Sequence, residues 1–101
     1  MRIVFFGSDD FAAVHLEKLL SSTHHVWTCV TQPDKPKGRG LKVVDSPIKE
    51  LALANKIPLL QPATIRDQSF INALKECQAD LFVVVAYGKI LPPEILAIPK
   101  I

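Results

Sequence analysis

Residues 81–86 read LFVVVA, an uncharged run with valine at 83, 84 and 85. A β-branched run this short, with no polar residue at alternate positions, reads as a strand covered on both faces of a parallel sheet. A second run of the same kind, Ile3–Phe6, lies near the start of the chain and is broken by Gly7. The fold follows from what lies between these two strands.

After Gly7, Ser8 or Asp9 suits the N-cap of a helix over about 10–20. Its inner side is read as Phe11, Val14 (or His15), Leu16, Leu19 and Leu20, with Glu17 and Lys18 outside. Ser21–His24 forms a return into a second strand, His25–Thr31, in which Val26, Thr28 and Val30 alternate against Trp27, Cys29 and Thr31. Ser46-Pro47 places an N-cap before a proline at the first helical position, and Asn55 suits the C′ position of that helix. Ile57–Leu60 is a short third strand that Pro58 confines to a sheet edge. Asp67 caps a third helix with an apolar stripe of Phe70, Ile71, Leu74 and Cys77. LFVVVA is then the fourth strand, and a short helical turn is expected after Pro92-Pro93.

This β-α-β-α-β-α-β order predicts an α/β fold with a parallel sheet and right-handed crossovers. The first and fourth strands have interior composition, the third carries proline and the second alternates. Strand order 3-2-1-4 accommodates all of them and is the first half of a Rossmann-like sheet. It also leaves LFVVVA on an edge without edge protection, and the chain stops at IPKI with no stop signal. The expectation is therefore that residues 1–101 are the truncated N-terminal part of a larger domain, with a further strand beside LFVVVA.

Composition narrows the function classes. With 49% apolar and 22% charged residues the chain resembles an ordinary globular protein, long enough to hide roughly 60–70% of its extended surface. A formal net charge of +2 is too small for a histone-like nucleic-acid binder, so any electrostatic signal is local. Leu81–Tyr87 falls far short of the ~20 apolar residues that span a bilayer, so no membrane partner is expected. MRIVFF does not read as a secretory signal, and a cytoplasmic location is expected, or an organellar matrix in a eukaryote. Cys29 and Cys77 fall at apolar-face positions and read as packing residues with no disulfide partner. No internal repeat or low-complexity tract is present.

Ligands of open parallel sheets bind beyond the carboxyl ends of the strands, where strand order reverses. Here that point lies between the first and fourth strands, at Gly7–Phe11 (GSDDF) and Tyr87–Pro92 (YGKILP). The first loop lacks G-x-G-x-x-G, and Asp9 and Asp10 stand where a pyrophosphate needs bare N–H groups, which argues against a dinucleotide. These aspartates have two readings: helix capping, or orientation of a polar part of a substrate. In the second loop Tyr87, Ile90 and Leu91 either line a slot for a flat heterocycle or pack under the sheet.

The segment from Gln32 to Asp45 (TQPDKPKGRG begins at Thr31) is much longer than a usual strand-to-helix connection and reaches the same rim. It is read as an irregular loop. Lys35, Lys37, Arg39 and Lys42 suit phosphates, and Gly38 and Gly40 let the backbone around Arg39 approach a ligand. A solvated loop with dispensable charge is the other reading. No nucleophile elbow, P-loop, CxxC or metal-ligand spacing is present; His24 and His25 sit at a turn and His15 on a helix surface.

Taken together, MRIVFFGSDDFA, VTQPDKPKGRG, SPIKELA, IPLLQP and VVVAYGKILP resemble, in order and spacing, the N-terminal part of the methionyl-tRNA formyltransferase family across essentially the whole chain. The resemblance implies formyl transfer from 10-formyltetrahydrofolate, with no metal, to the amino group of methionine on initiator tRNA. It gives Arg39 the leading contact to the tRNA acceptor end, supported by Lys35, Lys37 and Lys42. It assigns Tyr87, Gly88, Ile90 and Leu91 to the folate pocket. The family's usual first loop, G-T-P-D-F-A-V-P, is matched by GSDDFAAV, which keeps Gly7, Asp10 and Phe11 on the substrate side but loses two prolines. The resemblance also puts the catalytic asparagine, histidine and aspartate beyond residue 101, so that the parent is an enzyme and this chain alone is inactive. A related formyltransferase acting on a sugar nucleotide or ribosyl amine, or a non-catalytic phosphate- or RNA-binding half-domain, are the alternatives.

Overall fold

The computed structural model describes residues 2–33, 35–37, 42–44 and 46–99. In chain order the elements are β1 (Arg2–Gly7), α1 (Asp10–Leu20), β2 (His25–Val30), β3 (Lys35–Lys37), β4 (Lys42–Val44), α2 (Pro47–Ala54), β5 (Leu59–Leu60), α3 (Gln68–Glu76), β6 (Leu81–Val85) and α4 (Pro93–Leu96). The main sheet is parallel and runs β5-β2-β1-β6, which is the order 3-2-1-4 expected of its four strands. The molecule is thus a Rossmann-like α/β arrangement.

Two apolar clusters pack against opposite faces of the sheet. Phe5, Val26 and Cys29 meet Ala12, Ala13 and Leu16 of α1 and Ile48 and Ala52 of α2. Val4, Phe6 and Val30 meet Phe70 and Leu74 of α3, together with Tyr87, Leu91 and Ile95. The β1–β6 seam is the longest in register, Ile3–Gly7 against Leu81–Val85. It is locked at its start by a reciprocal pair: Arg2 N–H donates to the Asp80 carboxylate at 2.8 Å, and Asp80 N–H donates to the Arg2 carbonyl at 2.9 Å.

Five details depart from the sequence reading. The inner face of α1 is Ala12, Ala13 and Leu16, with Leu19 and Leu20 packed behind, whereas Phe11 and Val14 are exposed. Side-chain size misled: a Cβ added at Gly7 would lie 2.6 Å from the Ala12 Cβ, so the helix sits too close to β1 for anything larger than alanine. In β2 the simple alternation fails because the register with β1 shifts between Ile3 and Val4, pairing Ile3 with Val26 but Val4 with Thr28. This bulge skips Trp27 and reverses the parity of the strand, so Val26 and Cys29 share one cluster while Val30 joins the other. Asn55 is the C-cap of α2 rather than C′, its amide donating to the Leu51 carbonyl, and Lys56 takes the left-handed conformation at φ 56°. The fourth strand is half-buried and Val84 is 44% exposed, because only one edge of β6 is paired among the described residues.

The fifth departure concerns the basic segment. Instead of an irregular loop, β3 and β4 form an antiparallel ribbon pairing Lys35 with Val44, Pro36 with Val43 and Lys37 with Lys42. Its second strand is a β-branched pair, Val43-Val44, that the glycine and proline content of the segment hid.

Burial pushes the Cys29 thiol up from 9.0 to about 12. A thiol that stays neutral in the folded state favours folding fully below pH 9, and this contribution is lost as pH rises from 9 towards 12. Half-buried Cys77 lies 3.5 Å from the Thr28 hydroxyl. At pH 8 a colorimetric disulfide reagent is expected to modify Cys77 and to spare Cys29 until denaturant is added. Equal rates at both thiols would refute the assignment.

Candidate functional site

All four parallel strands end on one rim, and the described polar groups there form one connected network. Asp9, not Ser8, caps α1: its carboxylate accepts from the Ala12 N–H at 2.9 Å. This releases the Ser8 hydroxyl, which donates to the Tyr87 carbonyl at 3.0 Å across the β1–β6 switch point. The Gln32 side-chain amide donates to the same carbonyl at 3.0 Å. A carbonyl oxygen has two lone pairs, so the Tyr87 oxygen is saturated.

The network extends back through the sheet. Ser8 Oγ accepts from the Gln32 N–H at 3.2 Å and from the Thr31 hydroxyl at 3.4 Å. Thr31 Oγ1 lies 3.3 Å from Ser46 Oγ, and Ser46 in turn caps α2 by accepting from the Lys49 N–H. With Thr31 donating to Ser8, the proton between Thr31 and Ser46 must come from Ser46. The hydroxyls therefore run in one direction, Ser46 to Thr31 to Ser8 to Tyr87, an order in which each bond polarises the next. The Gln61 amide adds a bond to the Gln32 carbonyl at 3.3 Å.

Tyr87 sits between two left-handed residues, Ala86 at φ 49° and Gly88 at φ 95°. That double reversal sends the ring inward and leaves the carbonyl on the rim. The ring is 2% exposed and meets Phe6 edge-on at 5.5 Å. Its hydroxyl has no hydrogen-bond partner among the described residues, and burial raises its pKa. Gly88 is favoured by its φ, and Gln32 Nε2 fills the space that a Cβ there would take, 2.6 Å from that position. Lys89 donates to the Ala63 carbonyl at 3.1 Å, Ile90 is 92% exposed, and Leu91 returns to the core at 8%.

The structure thus divides the residues expected around a slot. Tyr87 and Leu91 are anchors in the core, while Ile90 faces outward. Gly7 is buried and closed, since a Cβ there would strike Ala12, Phe5 and the Val85 carbonyl within 3 Å. Asp10 begins α1 on the surface, and Phe11, 63% exposed, lies against the His15 ring at 4.6 Å. Lys35, Lys37 and Lys42 are on the β3–β4 ribbon, whose base is the Thr31–Ser46 contact; Arg39 lies outside the described residues. The roles of Thr31, Gln32 and Gln61 were missed in the sequence, although polar residues at the carboxyl ends of adjacent parallel strands were a signal of where to look. Among the described residues no group of His, Cys, Asp and Glu could hold a metal ion, and no helix is long and apolar enough to cross a membrane.

A formyl transferase family model matches residues 1–101. The chain belongs to the formyl transferase family. It is 52% identical over 101 residues to the methionyl-tRNA formyltransferase of Clostridioides difficile (strain 630), covering 100% of this chain and 33% of that protein. It is 50% identical over 101 residues to the methionyl-tRNA formyltransferase of Pseudomonas syringae pv. syringae (strain B728a), covering 100% of this chain and 32% of that protein. The Acetivibrio thermocellus protein of the same name is 50% identical over 99 residues, with 98% and 32% covered. The chain spans about a third of the length of these curated relatives.

The Tyr87 hydroxyl is buried without a hydrogen-bond partner among the described residues. Tyr87→Phe is expected to leave the unfolding free energy in urea unchanged, or to raise it by up to about 1 kcal/mol, because an unpaired buried hydroxyl is removed. A loss of about 2 kcal/mol or more would mean that the hydroxyl has a partner after all.

Proposed function

We propose that this chain is the N-terminal part of a cytoplasmic methionyl-tRNA formyltransferase, which moves a formyl group from 10-formyltetrahydrofolate to the amino group of methionine on initiator tRNA. The observation that carries the reading is the identity of about half of all positions, across the whole chain, with proteins of that name. Support comes from the rim, where a basic ribbon and the YGKILP loop both stand at the carboxyl ends of the strands.

In this reading Arg39 leads the contact to the phosphates of the tRNA acceptor end, and Lys35, Lys37 and Lys42 assist it. Paired strands suit that task because they carry Lys35, Lys37 and Lys42 on a backbone with a fixed register. The folate is taken at the loop after β6. The residues present fit a flat heterocycle in one respect: exposed Ile90 offers apolar contact at the rim, on a turn that Gly88 and Gln32 close from behind. Tyr87 and Leu91 serve as the loop's core anchors. Gly7 keeps β1, α1 and β6 close, while Asp10 and Phe11 border the acceptor side. Formyl transfer supplies its own carbonyl chemistry, but it needs donors for the developing oxyanion and an acceptor for the amine proton. No described residue combines those two duties on the rim, and we assign them to the remainder of the enzyme.

Two measurements test this assignment. Arg39→Ala is expected to weaken binding of initiator tRNA and to lower the slope of log K against log salt by about one unit; unchanged affinity and slope would favour a small-molecule amine acceptor. The 101-residue chain is expected to give no formyl transfer from 10-formyltetrahydrofolate to methionyl-tRNA in a radiolabel assay. Turnover by this chain alone would place the catalytic groups within it.

A further inference from the structure

We infer that Gln32 is a positioning residue that couples the acceptor-side ribbon to the folate-side loop, so that occupancy of either changes the affinity of the other. The inference rests on the reading of the rim given above.

Three observations carry it. First, Gln32 belongs to both sites by geometry. It stands at the root of the segment that leads into β3, and its side-chain amide holds the Tyr87 carbonyl at 3.0 Å. Second, the receiving point is confined. Gly88 approaches so closely that an added Cβ would lie 2.6 Å from Gln32 Nε2, and Tyr87 and Leu91 fix both sides of the turn in the core. Gln32 Nε2 therefore sits in the space a side chain at residue 88 would take, so a shift of Gln32 changes the packing and the hydrogen bonding of that turn directly. Third, the other donor to that carbonyl, Ser8, is held by Gln32's own N–H and by Thr31, whose partner Ser46 lies at the far end of the basic segment. Both ends of that segment thus converge on one oxygen atom.

The physical consequence is a two-position element. With the root as observed, both lone pairs of the Tyr87 oxygen are filled and the loop is held. If a polyanion on the ribbon turns the root, the Gln32 donor is withdrawn, leaving one lone pair unfilled and Ser8 as the remaining donor to that oxygen. A ligand in the loop favours one of these arrangements, and by linkage the same factor appears in the affinity of the ribbon's ligand.

The test is a pair of titrations on the full 101-residue chain, read by amide shifts of Gly88–Leu91 and of the β3–β4 ribbon. The probes are 5-formyltetrahydrofolate and an RNA minihelix ending in a tRNA acceptor stem. For the native sequence, saturating one probe is expected to change the dissociation constant of the other by about threefold or more, by the same factor in both orders. Gln32→Met keeps the side-chain length but cannot donate; it is expected to bind both probes while the factor falls to about one. Should Gln32→Met fail to fold, Ser8→Ala removes the second donor and is expected to alter the factor as well. Independent binding of the two probes to the native chain, or native coupling in Gln32→Met, would overturn the inference. Failure of the native chain to bind either probe would instead overturn the reading of the rim, and the inference with it.

Discussion

The carbonyl oxygen of Tyr87 is where the rim is tied together. It closes the strand at the sheet's switch point, between two left-handed residues, and accepts from donors carried by two other loops. Left-handed backbone at a non-glycine residue costs of order 1–3 kcal/mol and persists only where the surroundings over-determine it. At Ala86 they do. The Tyr87 ring is wedged against Phe6 on one side of the backbone, and Ser8 and Gln32 hold the carbonyl on the other. The reversed turn then sets which parts of the following loop face outward, and it leaves Ile90 exposed and Leu91 buried.

The same constraint explains why the switch point does not read as a dinucleotide site. A phosphate-binding turn needs free N–H groups at the helix start and room for the backbone to approach. Here the Asp9 carboxylate already accepts from the Ala12 N–H. The space that Gly7 creates is filled by Ala12 and by the Val85 carbonyl, not by a ligand. What the first loop contributes to the rim is Ser8, freed by Asp9's capping.

Most of the architecture was legible from periodicity and punctuation. The caps Asp9, Ser46 and Asp67, the edge position of β5 and the strand order all follow from residue type and spacing. Two of the errors share a cause, which is that spacing along one chain does not record how close two elements come. Ala12 and Ala13 face the sheet because β1 carries Gly7, and Trp27 is skipped because β1 and β2 change register. The candidate site was legible as a place, the rim between β1 and β6, and less so as a set of side chains. Tyr87 was read through its ring, yet its carbonyl is the group on the rim. Gln32 and Thr31 carry no motif; their importance comes from the partners that the fold brings to them.

The two halves of the rim differ in how they are held. The β1–β6 seam has an unbroken register, the Arg2–Asp80 clamp at its start and the Tyr87 knot at its end. The β3–β4 ribbon is a separate sheet, joined to that seam through the polar contacts of Thr31, Gln32 and Ser46. Groups that must hold one geometry are best carried on such a seam, since misplacement by about 1 Å can cost roughly a hundredfold in rate. The rim is thus divided into a seam in unbroken register and a ribbon attached through polar contacts, and Gln32 supplies one of those contacts directly, from its side-chain amide to the Tyr87 carbonyl.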